Sequence, residues 1–319
     1  MSRLFLPSPE SVYASRCCIL PTRRRSTHKT AAISSTGGFL KKSIICAALF
    51  AAIAGAHAQP LVERGSYLVN AVMACDGCHT PREKGALVMA KRFAGGSQVW
   101  DTPSYTVRGT NITPDPKSGI GKWTPAEIRR SLIEGVRPTG VQMAQQMPFP
   151  FYKILTARDL DAVVAYMLTL APIDNAVPPP LYKAAMRIDL VPGATRPYTE
   201  EELRDPVKRG FYLATIAHCM ECHARRPDGT QDYKTWWGKG GYVFTGPWGS
   251  AVTSNITSHP KAGIGAWSDA EIRRSLTHGV SRDGRPFKPP MARQEFYSRM
   301  TDADLDALVA WIRTLPPLE

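Results

Sequence analysis

The strongest constraint on this 319-residue chain is that it repeats itself at an offset of 144. Asn111-Ile112-Thr113 returns as Asn255-Ile256-Thr257, Gly119-Ile120-Gly121 as Gly263-Ile264-Gly265, and Trp123 as Trp267. Glu127-Ile128-Arg129-Arg130-Ser131-Leu132 returns as Glu271-Ile272-Arg273-Arg274-Ser275-Leu276. A period this long exceeds a solenoid unit and matches a duplicated small domain.

The repeat also carries the chemistry. Cys75-Asp76-Gly77-Cys78-His79 and Cys219-Met220-Glu221-Cys222-His223 are two copies of C-x-x-C-H, the attachment pattern of c-type haem. Two thiols one helical turn apart can add to the two vinyl groups of one porphyrin, and the next residue turns an imidazole onto the iron. A disulfide framework, common in exported chains, gives no reason for a histidine after each pair. Zinc needs a fourth ligand and a tetrahedral set that side chains this close together serve poorly. A thioredoxin-like pair expects a βαβ context that is absent here. The expected cofactors are two haem c groups, with Cys75, Cys78, Cys219 and Cys222 as covalent anchors.

The other three cysteines, Cys17, Cys18 and Cys46, fall in a leader. Lys41 and Lys42 precede an apolar run from Ile44 to Ala54, and Ala56-His57-Ala58 is an A-x-A pattern. The expected reading is a signal peptide cleaved after Ala58 and a periplasmic chain. The Arg- and Ser-rich stretch before Lys41 suggests that translation really begins near Leu40. Of the formal charge of +13, residues 1–58 hold +7. The remaining +6, with no nucleic-acid motif, argues against a nucleic-acid partner. No later segment approaches the roughly 20 apolar residues of a membrane helix, so the mature chain is expected to be soluble or peripheral on the inner membrane's periplasmic face.

Helical periodicity dominates both copies. Helices are expected from about Leu61 and from Val207 into each C-x-x-C-H motif. Thr124-Pro125-Ala126-Glu127 and Ser268-Asp269-Ala270-Glu271 are helix starts, and Thr156 to Asp159 and Thr301 to Asp304 read as capping boxes. Apolar stripes follow at Leu160, Val163, Val164 and Met167 and at Leu305, Leu308, Val309 and Ile312. Between the copies, Pro178-Pro179-Pro180, Pro192-Gly193 and Pro197 mark a linker, whose Tyr182, Met186, Ile188 and Leu190 are expected to pack along the domains. No strand-rich segment is expected. The resulting division is a leader at 1–58, domains at 59–172 and 205–319, and a Pro-rich linker at 173–204.

The iron's sixth position decides its chemistry. His79 is the only histidine of the mature first copy, so a thioether is the natural donor there. The repeat chooses between Met143 and Met147: the position 144 residues after Met147 is Met291, whereas that after Met143 is Phe287. The expected axial pairs are His79 with Met147 and His223 with Met291. His218, His259 and His278 are read as surface or supporting residues. Trp236-Trp237, found only in the second copy, is a candidate either for docking or for packing on the haem.

These motifs resemble the class I-like mono- and dihaem cytochromes c that serve as electron-accepting subunits of bacterial periplasmic and membrane-bound dehydrogenases acting on alcohols, aldehydes and gluconate, or of molybdenum hydroxylases. The resemblance rests on both C-x-x-C-H motifs, the paired Asn-Ile-Thr and Gly-Ile-Gly-x-Trp segments, and the Met-containing loops before Tyr152 and Tyr297. It implies a mainly α fold of two tandem class I cytochrome c-like domains. It also implies that Asn111, Trp123, Asn255 and Trp267 surround the haem edge. No catalytic residue is expected. The implied function is single-electron carriage from a periplasmic dehydrogenase to a downstream cytochrome, quinone or oxidase. The alternative is a dihaem cytochrome c peroxidase with one open or labile iron, against which the matched methionines speak.

Overall fold

The computed structural model describes residues 60–319; the leader, the expected cleavage after Ala58 and the start near Leu40 lie outside the described residues. Each copy opens and closes on a helix, and the two cross at a glycine. A Cβ on Gly65 would lie 1.9 Å from the Ala162 carbonyl oxygen, and one on Gly210 would lie 1.9 Å from that of Ala307. The closing helices Ala157–Leu168 and Asp302–Ile312 therefore meet the opening helices at 60–67 and Pro206–Ile216 in direct backbone contact. Only glycine permits so close an approach.

The opening helices differ in one respect that the repeat explains. Gly65 and Gly210 are 145 residues apart, whereas Ala74 and His218, both at positive φ ahead of a C-x-x-C-H motif, are 144 apart. The first copy absorbs its extra residue as a π-turn over Leu68–Val72, closed by Met73 N–H donating to Leu68 O at 2.8 Å. A single-turn π-bulge is the usual form such an insertion takes. The expected helix into the first motif is thus interrupted, while Tyr67, Leu68, Ala71 and Val72 still reach the core.

Capping follows the sequence in the middle helices and departs from it in the closing ones. Thr124 and Ser268 form reciprocal boxes with Glu127 and Glu271. Thr156 and Thr301 each accept the N–H of Asp159 or Asp304, but neither carboxylate turns back to its own cap. Both are buried and engaged elsewhere. Asp159 takes two N–H donors from Arg64 at 2.8 Å and the Tyr212 hydroxyl at 2.7 Å. Asp304 takes Arg209 at 2.6 Å and the Tyr67 hydroxyl. Arg64, Tyr67 and Asp159 recur 145 residues on as Arg209, Tyr212 and Asp304, so each carboxylate holds its own copy's arginine and the other copy's tyrosine. This reciprocal clamp is the polar centre of the contact between the copies.

Strands are more numerous than expected: among the described residues 34% are helical and 10% strand. Three small antiparallel sheets occur among the described residues. Arg82–Glu83 pairs with Ala86–Leu87, and Val243–Gly246 pairs with Gly249–Val252. Val99–Asp101 pairs with Tyr105–Arg108, which takes Leu181–Tyr182 as a third strand. Valines and aromatics flanking short turns favour the last two of these sheets, although every strand is too short to show a long alternating pattern.

That third strand begins to fix the Pro-rich segment onto the first copy. Gln145 exchanges two hydrogen bonds with the Asp189 backbone, and Tyr198 N–H donates to Ile154 O at 2.9 Å while its ring stacks on Tyr212. The residues it buries are Val191 and Ala194, whereas Ile188 and Leu190, expected to pack, are exposed. No helix among the described residues is long and apolar enough to cross a membrane.

Candidate haem sites

Each C-x-x-C-H motif occupies a short helix, Asp76–His79 or Cys219–His223, entered through a left-handed residue at Ala74 or His218. The helix presents both thiols and the imidazole on one side. The histidines are held twice. Each main-chain carbonyl accepts an N–H from a glycine, Gly95 to His79 at 2.8 Å and Gly240 to His223 at 2.9 Å. Each ring Nδ1 faces a carbonyl, Thr110 O at 2.7 Å and Ser254 O at 2.8 Å. Because a carbonyl can only accept, Nδ1 must carry the proton and Nε2 keeps its lone pair for a metal. Burial lowers both histidine pKa values, which holds the rings neutral; the bond to the carbonyl opposes this without reversing it.

No disulfide joins the four cysteines of the motifs. Burial pushes Cys75 and Cys222 up to about 12 and Cys219 up to about 11, with Cys78 moved in the same direction. Glycine again sets the backbone around the first motif: a Cβ on Gly109 would lie 1.8 Å from the Cys78 carbonyl oxygen.

A cavity of about 670 Å³ lies against the second motif, with Cys219, Cys222, His223, Met291, Asn255 and Trp267 in its wall. Its volume is within the range that encloses a cofactor. Met300 also reaches it, but the corresponding residue 145 positions earlier is Leu155, so this thioether belongs to one copy alone. Met147 and Met291 close the same turn: Met147 N–H donates to Ala144 O and Met291 N–H to Lys288 O, each at 3.1 Å, with Phe149 and Arg293 N–H then donating to the methionine carbonyls at 2.7 Å. In the first copy Arg137 keeps a buried Nε without a hydrogen-bond partner and acts on His79. A buried cationic donor of this kind suits the carboxylates that haem carries.

The asparagines, of which Asn255 also lines the second-copy cavity, fix the loop as well. Asn111 Nδ2 donates to Ile173 O and Asn255 Nδ2 to Leu318 O, each at 2.7 Å, while their Oδ1 atoms accept from Thr113 and Thr257. They latch the Asn-Ile-Thr loop to the chain just past each closing helix. Trp123 and Trp267 pack against the core cluster. Arg226 and Lys239 each lie over the Trp236 ring, at 4.7 and 4.1 Å from its centre, and the indole N–H donates to Gly240 O, while Trp237 packs edge-on to Tyr233. His218 pairs with Glu221 at 2.9 Å, and His259 Nδ1 accepts from the Lys261 and Ala262 backbone. Sequence reasoning missed Arg137 near His79 and Arg293 in the cavity wall; a change in repeat offset marks the second of them.

Two thiols, an imidazole of fixed tautomer and an apolar cavity with a thioether define a c-type haem site. The chain belongs to the cytochrome c family, whose sequence model matches residues 62–171 and again 207–316. It is a tandem pair of cytochrome c domains carrying two haem c groups for electron transport. It is similar to the fructose dehydrogenase cytochrome subunit of Gluconobacter japonicus, at 31% identity over 82% of this chain and 54% of that one. It also resembles the cytochrome c subunit of the quinone alcohol dehydrogenase of Gluconobacter oxydans, at 30% over 82% and 57%. A diheme cytochrome c-type protein of Cereibacter sphaeroides matches at 29% over 77% of this chain and 83% of its own length. The chain thus spans just over half the length of the first two relatives.

Proposed function

We propose that the protein is the dihaem electron-transfer partner of a periplasmic dehydrogenase, taking electrons one at a time and passing them to a downstream cytochrome, quinone or oxidase. In this reading residues 59–172 and 205–319 are the two domains and 173–204 the strap between them, exported behind a signal peptide cleaved after Ala58. Cys75 and Cys78 anchor one haem and Cys219 and Cys222 the other. His79 and His223 are the proximal donors, Met147 and Met291 the distal ones.

The observation that carries this reading is the repeated carbonyl grip on His Nδ1, at 2.7 Å in the first copy and 2.8 Å in the second. It leaves Nε2 with a free lone pair, and in the second copy His223, Cys219, Cys222 and Met291 line one cavity. Bound haem supplies an iron that alternates between ferric and ferrous by one electron, and a His/Met pair favours a higher potential than bis-His ligation. The protein's part would be to hold each imidazole in one tautomer, to offer Met147 or Met291 as the second donor, and in the second copy to surround the group with largely apolar walls. The similarity to the dehydrogenase subunits supports the choice of donor.

Stoichiometric reductive titration of the purified periplasmic protein tests the proposal. Two electrons taken up per chain, with two haems by pyridine haemochrome and no peroxide turnover, is the expected result. Peroxide consumption at catalytic rates would replace it with the peroxidase reading.

A further inference from the structure

Arg293 lines the second cavity together with Cys219, Cys222 and His223. Its Nε donates to Pro290 O at 3.0 Å, so the guanidinium is anchored by a carbonyl rather than by a carboxylate. It stands in the segment where the second copy is one residue longer. Met147 and Met291 are 144 apart, whereas Phe151 and Phe296, like Tyr152 and Tyr297, are 145 apart. The first copy has Pro148-Phe149-Pro150 where the second has Ala292-Arg293-Gln294-Glu295.

This segment bridges the two copies. The short helix Gln294–Tyr297 packs against the π-turn that precedes the first motif. Glu295 pairs at 2.6 Å with Arg82, three residues beyond His79. Through this bridge the Arg293 charge comes near both motifs, where it opposes the burial that pushes up the Cys78, Cys219 and Cys222 thiols. Glu221, paired with His218, is the nearby opposite charge and acts on Cys78 as well.

We propose that Arg293 is a charge shared by the two haem sites, raising the electron affinity of both in the same direction. This rests on the reading of two covalently held haems. Reduction removes one unit of positive charge from each iron, so a fixed cation nearby favours the reduced form. A unit charge about 10 Å away, at an effective dielectric near 20, shifts the ratio of reduced to oxidised haem roughly tenfold. Arg137 stands near His79 of the first site.

Spectroelectrochemical titration of the holo-protein tests this. Arg293→Gln should lower both midpoints, each by the equivalent of a three- to tenfold change in that ratio, where tenfold is about 59 mV for one electron. Arg293→Lys should retain most of the effect, and Glu221→Gln should raise both midpoints. A shift at one haem alone, or at neither, overturns the role of Arg293. Fewer than two haems per wild-type chain would instead overturn the haem reading beneath it. If Arg293→Gln fails to load haem, Arg293→Met, which removes the same charge and keeps an apolar stem, decides: both midpoints lowered relative to Arg293→Lys supports the proposal, and either one unmoved refutes it.

Discussion

Replacing Tyr212 by phenylalanine removes one hydroxyl from the clamp between the copies and leaves the packing intact. That hydroxyl is buried and donates at 2.7 Å to Asp159, whose side chain is only 4% exposed. A hydrogen bond to a buried ionised group contributes about 1.5–3 kcal/mol. The substitution creates no cavity, because phenylalanine fills the same space, and Arg64 still satisfies the carboxylate. The expected loss is about 2 kcal/mol, equivalent to a fall in Tm of about 4–8 °C for a folded unit of this size. Tyr67→Phe, at the more exposed half of the clamp, should cost about 1 kcal/mol. The two act on separate carboxylates, so the double variant should be additive within about 0.5 kcal/mol. Guanidinium unfolding of the oxidised holo-protein, followed by tryptophan fluorescence and by the Soret band, measures all three. A Tyr212→Phe protein within about 0.5 kcal/mol of wild type would refute the clamp as a stabilising contact.

Three further outcomes are expected. Burial first, and then the bond to Asp304, push the Tyr67 phenol up to about 12 from an ordinary 10.0. A folded pKa raised in this way gives stability that is fully present below pH 10 and lost as pH rises toward 12. Unfolding midpoints measured across that range should fall less steeply in Tyr67→Phe than in wild type. Gly210→Ala forces a methyl to 1.9 Å from the Ala307 carbonyl oxygen, so it should destabilise by about 1–3 kcal/mol or prevent accumulation of folded protein, read by thermal unfolding. Arg82→Ala breaks an ion pair whose partners are 34% and 37% exposed, and thermal unfolding should show a change below about 1 kcal/mol.

The repeat, the helices and the attachment motifs were legible because each is local or periodic. A capping box, an apolar stripe and C-x-x-C-H all lie within a few residues of themselves. The closing-helix aspartates were misread for the same reason. Asp159 has the spacing of a capping box, yet Arg64 and Tyr212 reach it from far along the chain, and a buried carboxylate takes the stronger donors. The hairpins escaped notice because strands of two to four residues leave no alternating pattern. The expected packing of Ile188 and Leu190 failed because the linker buries the smaller Val191 and Ala194 instead. One long-range feature was present in the sequence in plain form: the offset changes from 145 to 144 across Leu68–Val72, and back to 145 after Met291. Each change marks a structural event, a π-turn in one case and the Arg293 segment in the other.

Carbon monoxide binding to the dithionite-reduced protein, read beside the thioether-to-ferric-iron band of the oxidised form and scaled per haem, tests the paired His/Met ligation most directly. The account predicts no carbon monoxide binding and two thioether bands in the wild type. It also predicts one band lost and one haem opened to carbon monoxide in each of Met147→Ala and Met291→Ala. Carbon monoxide binding by the wild-type protein, or either variant keeping both bands, would contradict it.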